Sequence, residues 1–520
     1  MSQLDRMFQR YGPKYKWLVT FTMLTGLVAL GMSITIVNVA TPYIKGSLGM
    51  SDVEVQWIST GFLAATTVAL LIAPWLVKAF GQRATFIGLL ITFIAASFLG
   101  GFATSMGAIV TARVVQGAMT GLIRPLAMEA MFSVFPPQQR GMATAIYGMS
   151  LGLPLTLATV IGGWLVETLS WRYVFFVAPP ACLVAVVMGY FFLPGREQTG
   201  PRPRFDWSGA ISLFACIFAL LTAIANGQRW GWDSGSVQGL LAFSLILAVG
   251  FIWWERRTKL PLLDLAIFSH KGFLAGCLAL FLFGGSFYVI MYLLPLFVQT
   301  ILGYGPVTAG MLFLPSTLVL ALLVPIVGKL SDRVPPHYIT LPGLGFAIFA
   351  VYLFAQVDAY TSFFYIAIAL TLMSAGMASF PPPTLSRAIG SLPPPLMGYG
   401  SGVINFALQM GGAFGTAALV LLMDRRISWH GDHLSAGINP GNDVATSAVS
   451  QWQTLLGNVG VNPSYLQAGA LEQIARTENF WASIFAYQDG FWLVFAALII
   501  VVLPSCLLSR WGLPPRPAAG

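Results

Sequence analysis

Arg113, Gln116, Gly117, Thr120, Gly121 and Arg124 recur at i, i+3, i+4, i+7, i+8 and i+11, so a helix puts all six on one face. The stretch that holds them is apolar and long enough to cross a bilayer. An arginine at the centre of such a helix costs about 2.5–3.5 kcal/mol to insert. Two on one stripe must therefore face protein or water. They can line a transport path or, more plainly, bond the backbone carbonyls of neighbouring helices. Glu129 lies about 140° round from Arg124 at 100° per residue, near the end of the same helix. It can carry a proton, or reach the interface and pair with Lys78 or Arg140. Another stripe joins Gly398, Gly402, Asn405, Gln409, Gly412 and Thr416. Small residues alone would mean close packing; Asn405 and Gln409 among them suggest a wetted cavity wall. Gln56, Thr60 and Thr67 share one face of a second apolar stretch, and Tyr288, Tyr292, Pro295 and Gln299 one face of a ninth. Aromatic rings with polar tips suit large amphipathic ligands. The plainer role for the tyrosines is an interfacial belt, which their depth in the stretch argues against.

The elements that carry these residues are fourteen apolar stretches. They run roughly over 17–40, 54–78, 84–104, 107–132, 142–166, 172–194, 207–226, 236–255, 272–301, 306–330, 338–357, 360–385, 397–424 and 488–510. A hydrocarbon core of roughly 30 Å needs about 20 such residues per helix. Residues are 57% hydrophobic and 9% charged, far from the quarter or so that is charged in soluble proteins. The expected fold is an all-α polytopic membrane protein. Of the 27 Lys and Arg, nineteen flank one side, six the other, and Arg113 and Arg124 lie within the fourth span. The excess of basic residues expected in cytoplasmic loops puts both termini in the cytoplasm. The net charge of +9 is thus a topology signal and does not call for nucleic acid. The basic, then apolar start reads as a retained helix, since its apolar stretch exceeds a signal peptide's and further spans follow. Cys182, Cys216, Cys277 and Cys506 fall within spans as apolar filler. His430 and His433 have no partners at ligand spacing, and there is no phosphate-binding glycine loop. No metal, cofactor or enzymatic activity is expected.

Only one connection is long. Residues 425–487 are polar, lie outside the cytoplasm, and carry two amphipathic helices near 444–457 and 464–478. Such a segment is either a solvated hairpin or a docking surface for an extracytoplasmic partner. The second and third spans are joined by Pro74-Trp75-Leu76-Val77-Lys78-Ala79-Phe80-Gly81-Gln82-Arg83, the tenth and eleventh by Gly328-Lys329-Leu330-Ser331-Asp332-Arg333. Both turns are short and basic, with Leu at the same offset. An offset of eight spans implies two six-helix halves with an extra pair between them. Many secondary transporters are built from such repeats, with substrate bound near the midplane. The expected divisions are 1–200 for the first bundle, 201–260 for the inserted hairpin and 261–520 for the second bundle with its outer segment 425–487.

On these residues the chain resembles the fourteen-span drug:proton antiporter branch of the major facilitator superfamily. The second turn is similar to that family's G-x-L-x-D-R signature, and Arg113-Val114-Val115-Gln116-Gly117 to its R-x-x-Q-G. Thr35-Ile36-Val37-Asn38-Val39-Ala40-Thr41-Pro42, Trp171-Arg172-Tyr173-Val174-Phe175-Phe176 and Leu263-Asp264-Leu265-Ala266-Ile267-Phe268 also fit. Lys78 and the long segment before the last span make EmrB-type pumps the nearest likeness.

The resemblance implies proton-driven export of hydrophobic or amphipathic small molecules across a bacterial inner membrane. It further implies a periplasmic membrane-fusion adaptor and a TolC-like outer-membrane channel as partners. Arg113, Gln116, Glu129, Ser33 and Asp332 are the candidates for coupling and gating. Gln56, Thr60, Arg124, Tyr288, Tyr292, Asn405 and Gln409 are those for substrate. Three departures stand out. Ser33 occupies the place of the branch's usual Asp, Ala158-Thr159 replace Gly-Pro in the fifth span, and Leu408 follows Asn405-Phe406-Ala407 where Arg is common. The other reading is a transporter-like sensor or scaffold that binds a ligand without pumping it.

Overall fold

The computed structural model describes residues 3–50, 52–136, 139–196, 205–258, 263–331, 333–393, 396–436 and 443–511; the side chains of some helical residues, Gln56 among them, lie outside that description. A short helix, α1 (Gln3–Tyr11), precedes the first six spans. These are α2 (Tyr15–Leu48), α3 (Asp52–Phe80), α4 (Gln82–Gly101), α5 (Met106–Val134), α6 (Arg140–Thr168) and α7 (Ala178–Phe192). The seventh and eighth spans are α8 (Trp207–Trp230) and α9 (Gly235–Glu255). The ninth is α10 (Lys271–Thr300), and the tenth is broken into α11 (Pro306–Met311) and α12 (Phe313–Ser331). The eleventh is α13 (His337–Phe354) and the twelfth is α14 (Phe363–Ser379) followed by α15 (Pro381–Gly390). Then come α16 (Met397–Ser435), α17 (Asp443–Asn458) and α18 (Leu466–Trp511). Among the described residues 13 helices are long and apolar enough to cross a membrane. Helix α6, 29 residues long and charged only at its ends, supplies the fourteenth span. The all-helical fold expected from the sequence is the one observed.

Local sequence sets the boundaries. Ser105 caps α5 by accepting the amide of Ala108 at 3.4 Å. The basic turn between α3 and α4 hinges on Gly81, whose φ of +81° favours glycine. A side chain there would also stand 2.9 Å from the Arg196 backbone. Pro125 interrupts α5 directly after Arg124. Its missing amide leaves the Gly121 carbonyl without its helical donor, which membrane helices tolerate where neighbours pack closely.

Helix pairing repeats. In the first six spans α2 packs on α6, α3 on α5, and α4 on α7; in the last six α10 packs on α16, α12 on α14, and α13 on α18. The same three pairings thus recur at the eight-span offset of the basic turns. Helices α8 and α9 pack on each other, and α8 touches both α3 and α16. Glycines allow the tightest approaches: Gly117 and Gly121 lie on the backbone of α3 at Phe62 and Thr66, and Gly411 lies on that of α10 at Phe281.

The two six-span sets meet unevenly along their length. At the end bearing the chain's N-terminus, a Cβ on Gly328 of α12 would stand 2.9 Å from the Met142 Cα and 3.1 Å from the Ala145 Cβ of α6. One on Gly402 of α16 would stand 2.7 Å from the Leu70 carbonyl oxygen of α3. Toward the opposite end, Met32, Ile36, Ile58, Ile109, Trp171 and Phe175 close an apolar core drawn from the first six spans alone, among the described residues.

The outer segment differs from expectation at its edges. Residues 425–435 continue α16, and the amphipathic stretch near 464–478 is continuous with the last span as the 46-residue α18. Hydropathy marks where a helix leaves lipid and cannot mark where it stops. No proline interrupts either extension, so the hydrogen-bonded ladder simply propagates. The expected helix near 444–457 is α17, which packs back on α18.

Candidate functional site

The stripe on α5 divides into two environments. Arg113 is fully buried. Its Nη1 donates to the Ser33 carbonyl of α2 at 3.0 Å and to Gln116 Oε1 at 3.1 Å, and its Nε to the Ile58 carbonyl of α3 at 3.3 Å. The guanidinium lies 4.1 Å from the centre of the Phe62 ring. Gln116 donates in turn to the Ser97 hydroxyl of α4 at 2.9 Å. Arg113 and Gln116 therefore tie four helices of the first bundle together, through the backbone carbonyls of α2 and α3 and the Ser97 hydroxyl of α4. Ser33 contributes its backbone oxygen, an acceptor that any residue at that position would supply.

Arg124, three turns further along the same face, meets the other bundle. It is buried and donates through Nη1 to Gln409 Oε1 of α16 at 3.1 Å. The same oxygen accepts the Tyr288 hydroxyl of α10 at 3.1 Å. Close by, the Tyr147 hydroxyl of α6 donates to Asn405 Oδ1 of α16 at 2.8 Å. The Asn405 amide is satisfied by the Ser401 carbonyl at 2.8 Å. Arg124–Gln409 and Tyr147–Asn405 thus each join the first six spans to the last six. Asn405 and Gln409, expected on a cavity wall, sit where the bundles meet.

Two narrow crevices flank these bonds. Leu27, Ile34 and Ile123 with Thr120, Ser150 and Arg124 line one of about 10 Å³. Tyr147 and Asn405 with Leu280, Pro382, Ile404 and Leu408 line the other, of about 20 Å³ and shared by both bundles. A space of roughly 10–15 Å³ holds one water molecule, so neither crevice as it stands admits a drug-sized ligand.

The remaining expected residues are scattered. Thr60 is half-buried on α3, and Thr67 turns its hydroxyl back to the Leu63 carbonyl of its own helix at 2.7 Å. The Gln56 side chain and all of Asp332 lie outside the described residues. Tyr292, at 49% exposure, is not drawn into the Arg124 cluster. Glu129 lies at the N-terminus-bearing end of α5, its carboxylate 3.9 Å from where a Cβ on Gly398 of α16 would stand. Tyr147 was missed. The reasoning applied to Tyr288, a hydroxyl-tipped ring deep in a span, would have found it.

Comparison with known proteins decides the family. The sequence model of the Major Facilitator Superfamily matches residues 22–416. The chain belongs to the major facilitator superfamily. It is 28% identical over 479 residues to the multidrug export protein EmrB of Haemophilus influenzae, covering 90% of this chain and 91% of that one. It is 27% identical to EmrB of Escherichia coli K12, covering 94% and 93%. The tetracenomycin C resistance and export protein of Streptomyces glaucescens is 30% identical, over 79% and 76%. Among solved structures, the proton:xylose symporter XylE superposes with a TM-score of 0.57 at 14% identity, covering 94% of this chain and 95% of that one. The likeness to XylE is one of fold. As a major facilitator of the EmrB type, this is a multi-pass transport protein, not an enzyme.

Proposed function

We propose that the chain exports hydrophobic or amphipathic small molecules across a bacterial inner membrane, driven by protons moving inward. The observation that carries the reading is the pair of polar bonds, Arg124–Gln409 and Tyr147–Asn405, between the two six-span sets. Groups that bond across a seam can release one another and bond a ligand when the seam opens. Arg113 holds the first bundle rigid, and Arg124, Tyr288, Asn405 and Gln409 offer polar contacts among apolar walls. One charge crossing about 100 mV supplies about 2.3 kcal/mol, enough to move a substrate some fifty-fold uphill.

The excess of Lys and Arg supports a cytoplasmic placement of both termini. The contacts of Gly328 and Gly402 then close the cytoplasmic side, and α17 with the extensions of α16 and α18 stands in the periplasm. The EmrB relatives favour an adaptor of the membrane-fusion class seated on those helices, feeding a TolC-like channel. Proteoliposomes with an imposed proton gradient and a panel of anionic, neutral and cationic fluorescent amphiphiles test the reading. Gradient-driven accumulation of at least one dye is expected. Binding without any driven movement would favour the sensor instead.

A further inference from the structure

The chain carries 18 Asp and Glu, and none of them lies in the middle of a span. Those that fall within spans, Glu54, Glu129, Glu255, Asp424 and Asp489, sit in terminal turns. Arg124 nonetheless lies deep in the fourth span and is only 7% exposed. Among the described residues it makes no ion pair, and its hydrogen-bond partner is a neutral amide oxygen, Gln409 Oε1 at 3.1 Å. Arg113 shows a better-satisfied guanidinium on the same helix, with two backbone carbonyls, an amide oxygen and a ring around it. A buried charge without a counter-charge is costly, and inside a membrane such a residue marks a site.

The oxygen that Arg124 holds also accepts the Tyr288 hydroxyl at 3.1 Å. Two donors, one of them charged, thus converge on one point from α5 and α10. A neutral oxygen fills that point; an ionised one would make charge-assisted bonds about twice as strong. Thr120 and Ser150, the polar neighbours in the crevice beside Arg124, give their hydroxyls to backbone carbonyls at 2.8 and 2.6 Å, so neither offers a charge. Leu27, Ile34 and Ile123 supply an apolar wall.

We infer that Arg124 and Tyr288 form an anion subsite in the transport path, that Gln409 Oε1 occupies it while the bundles are closed, and that the chain selects organic monoanions, a carboxylate or sulfonate carried on an apolar body. The inference rests on the export reading above and names its substrate class. The guanidinium fork matches two oxygens of a carboxylate or sulfonate. The crevice has room for about one water, so the apolar body enters as the bundles part. When the anion displaces Gln409 from Arg124, it breaks the bond that ties α16 to α5. Substrate and seam thus compete for one guanidinium, and an anion in the subsite favours the parted bundles. A cation of the same shape meets a like charge in a desolvated place and is rejected.

Calorimetric titration of the full chain in lipid nanodiscs tests this with ligands of one shape: pyrenebutyrate, pyrenebutanol and pyrenebutylammonium, each corrected against protein-free nanodiscs. The carboxylate should bind about ten- to a hundredfold more tightly than the alcohol, the worth of hydrogen bonds to a charged group, and the ammonium least. In Arg124→Gln the preference for carboxylate over alcohol should fall to about one. Arg124→Lys, which keeps the charge and loses the fork, should retain part of it. Gln409→Ala empties the subsite and should tighten pyrenebutyrate about tenfold, which loss of a purely structural glutamine would not do. Equal binding of the ligands by the unaltered protein, or an undiminished preference in Arg124→Gln, overturns the inference. Should Arg124→Gln not fold, Gln409→Ala decides: binding of pyrenebutyrate that is unchanged or weaker overturns it. Proteoliposomes given pyrenebutyrate and a proton gradient separate the two readings, because preferential binding without driven movement would count against export and leave the anion subsite standing.

Discussion

Arg113 and Arg124 stand three turns apart on one face of one helix, yet their surroundings differ in kind. Arg113 is bonded to fixed backbone oxygens of its own bundle and capped by a ring. Arg124 is bonded to a side-chain amide that belongs to the other bundle. A backbone carbonyl within a helix cannot be withdrawn without unfolding the helix. A glutamine on a helix that shifts can be. The same residue type thus serves as a rivet in one place and as a separable contact in the other, and the partner decides which.

Substitutions sharpen that contrast. The largest effect is expected for Arg113→Ala, which removes three hydrogen bonds and leaves the Gln116 amide oxygen buried without its donor. A lost buried partner costs about 1–3 kcal/mol, so the melting temperature and the yield in the membrane should both fall. An unchanged melting temperature would dissolve the distinction. Arg124→Gln should leave stability nearly intact while gradient-driven transport drops about ten- to a hundredfold, the worth of hydrogen bonds to a charged group. Equal losses of stability in the two variants would show that Arg124 is a second rivet. Tyr147→Phe removes one inter-bundle bond of ordinary strength, about 1 kcal/mol, and should slow or speed transport by roughly fivefold. Tyr292→Phe, outside the cluster, should stay within about twofold of the parent, in line with surface changes that touch no partner.

Much of the fold was legible because lipid imposes a simple rule. Every span must be helical and apolar, so hydropathy alone marked all fourteen. The paired basic turns then exposed the eight-span offset that the helix pairings repeat. Stripe arithmetic found Arg124, Asn405 and Gln409, but it could not say which neighbour each would meet. A helical face of six residues covers a wide arc, and on α5 that arc touches α3 at Gly117 and Gly121 as well as the other bundle at Arg124. Periodicity fixes a face; only packing assigns it a partner. Tyr292 shows the same limit: it shares its stripe with Tyr288, yet 49% of it remains exposed. The extension of α16, and the continuity of the expected 464–478 helix with the last span, were hidden for a different reason, since polar residues there ended the hydropathy signal while the helices ran on.

A single engineered crosslink addresses the account at its centre. With a Cβ on Gly328 expected 3.1 Å from the Ala145 Cβ, cysteines at both positions can join the two bundles at their closed end. Gradient-driven uptake of a fluorescent amphiphile by Ala145→Cys/Gly328→Cys is then compared before and after reduction. The account predicts that the oxidised protein does not transport and that a reductant restores it. Full transport through a quantitatively crosslinked protein would contradict it, because the bundles would then never need to part.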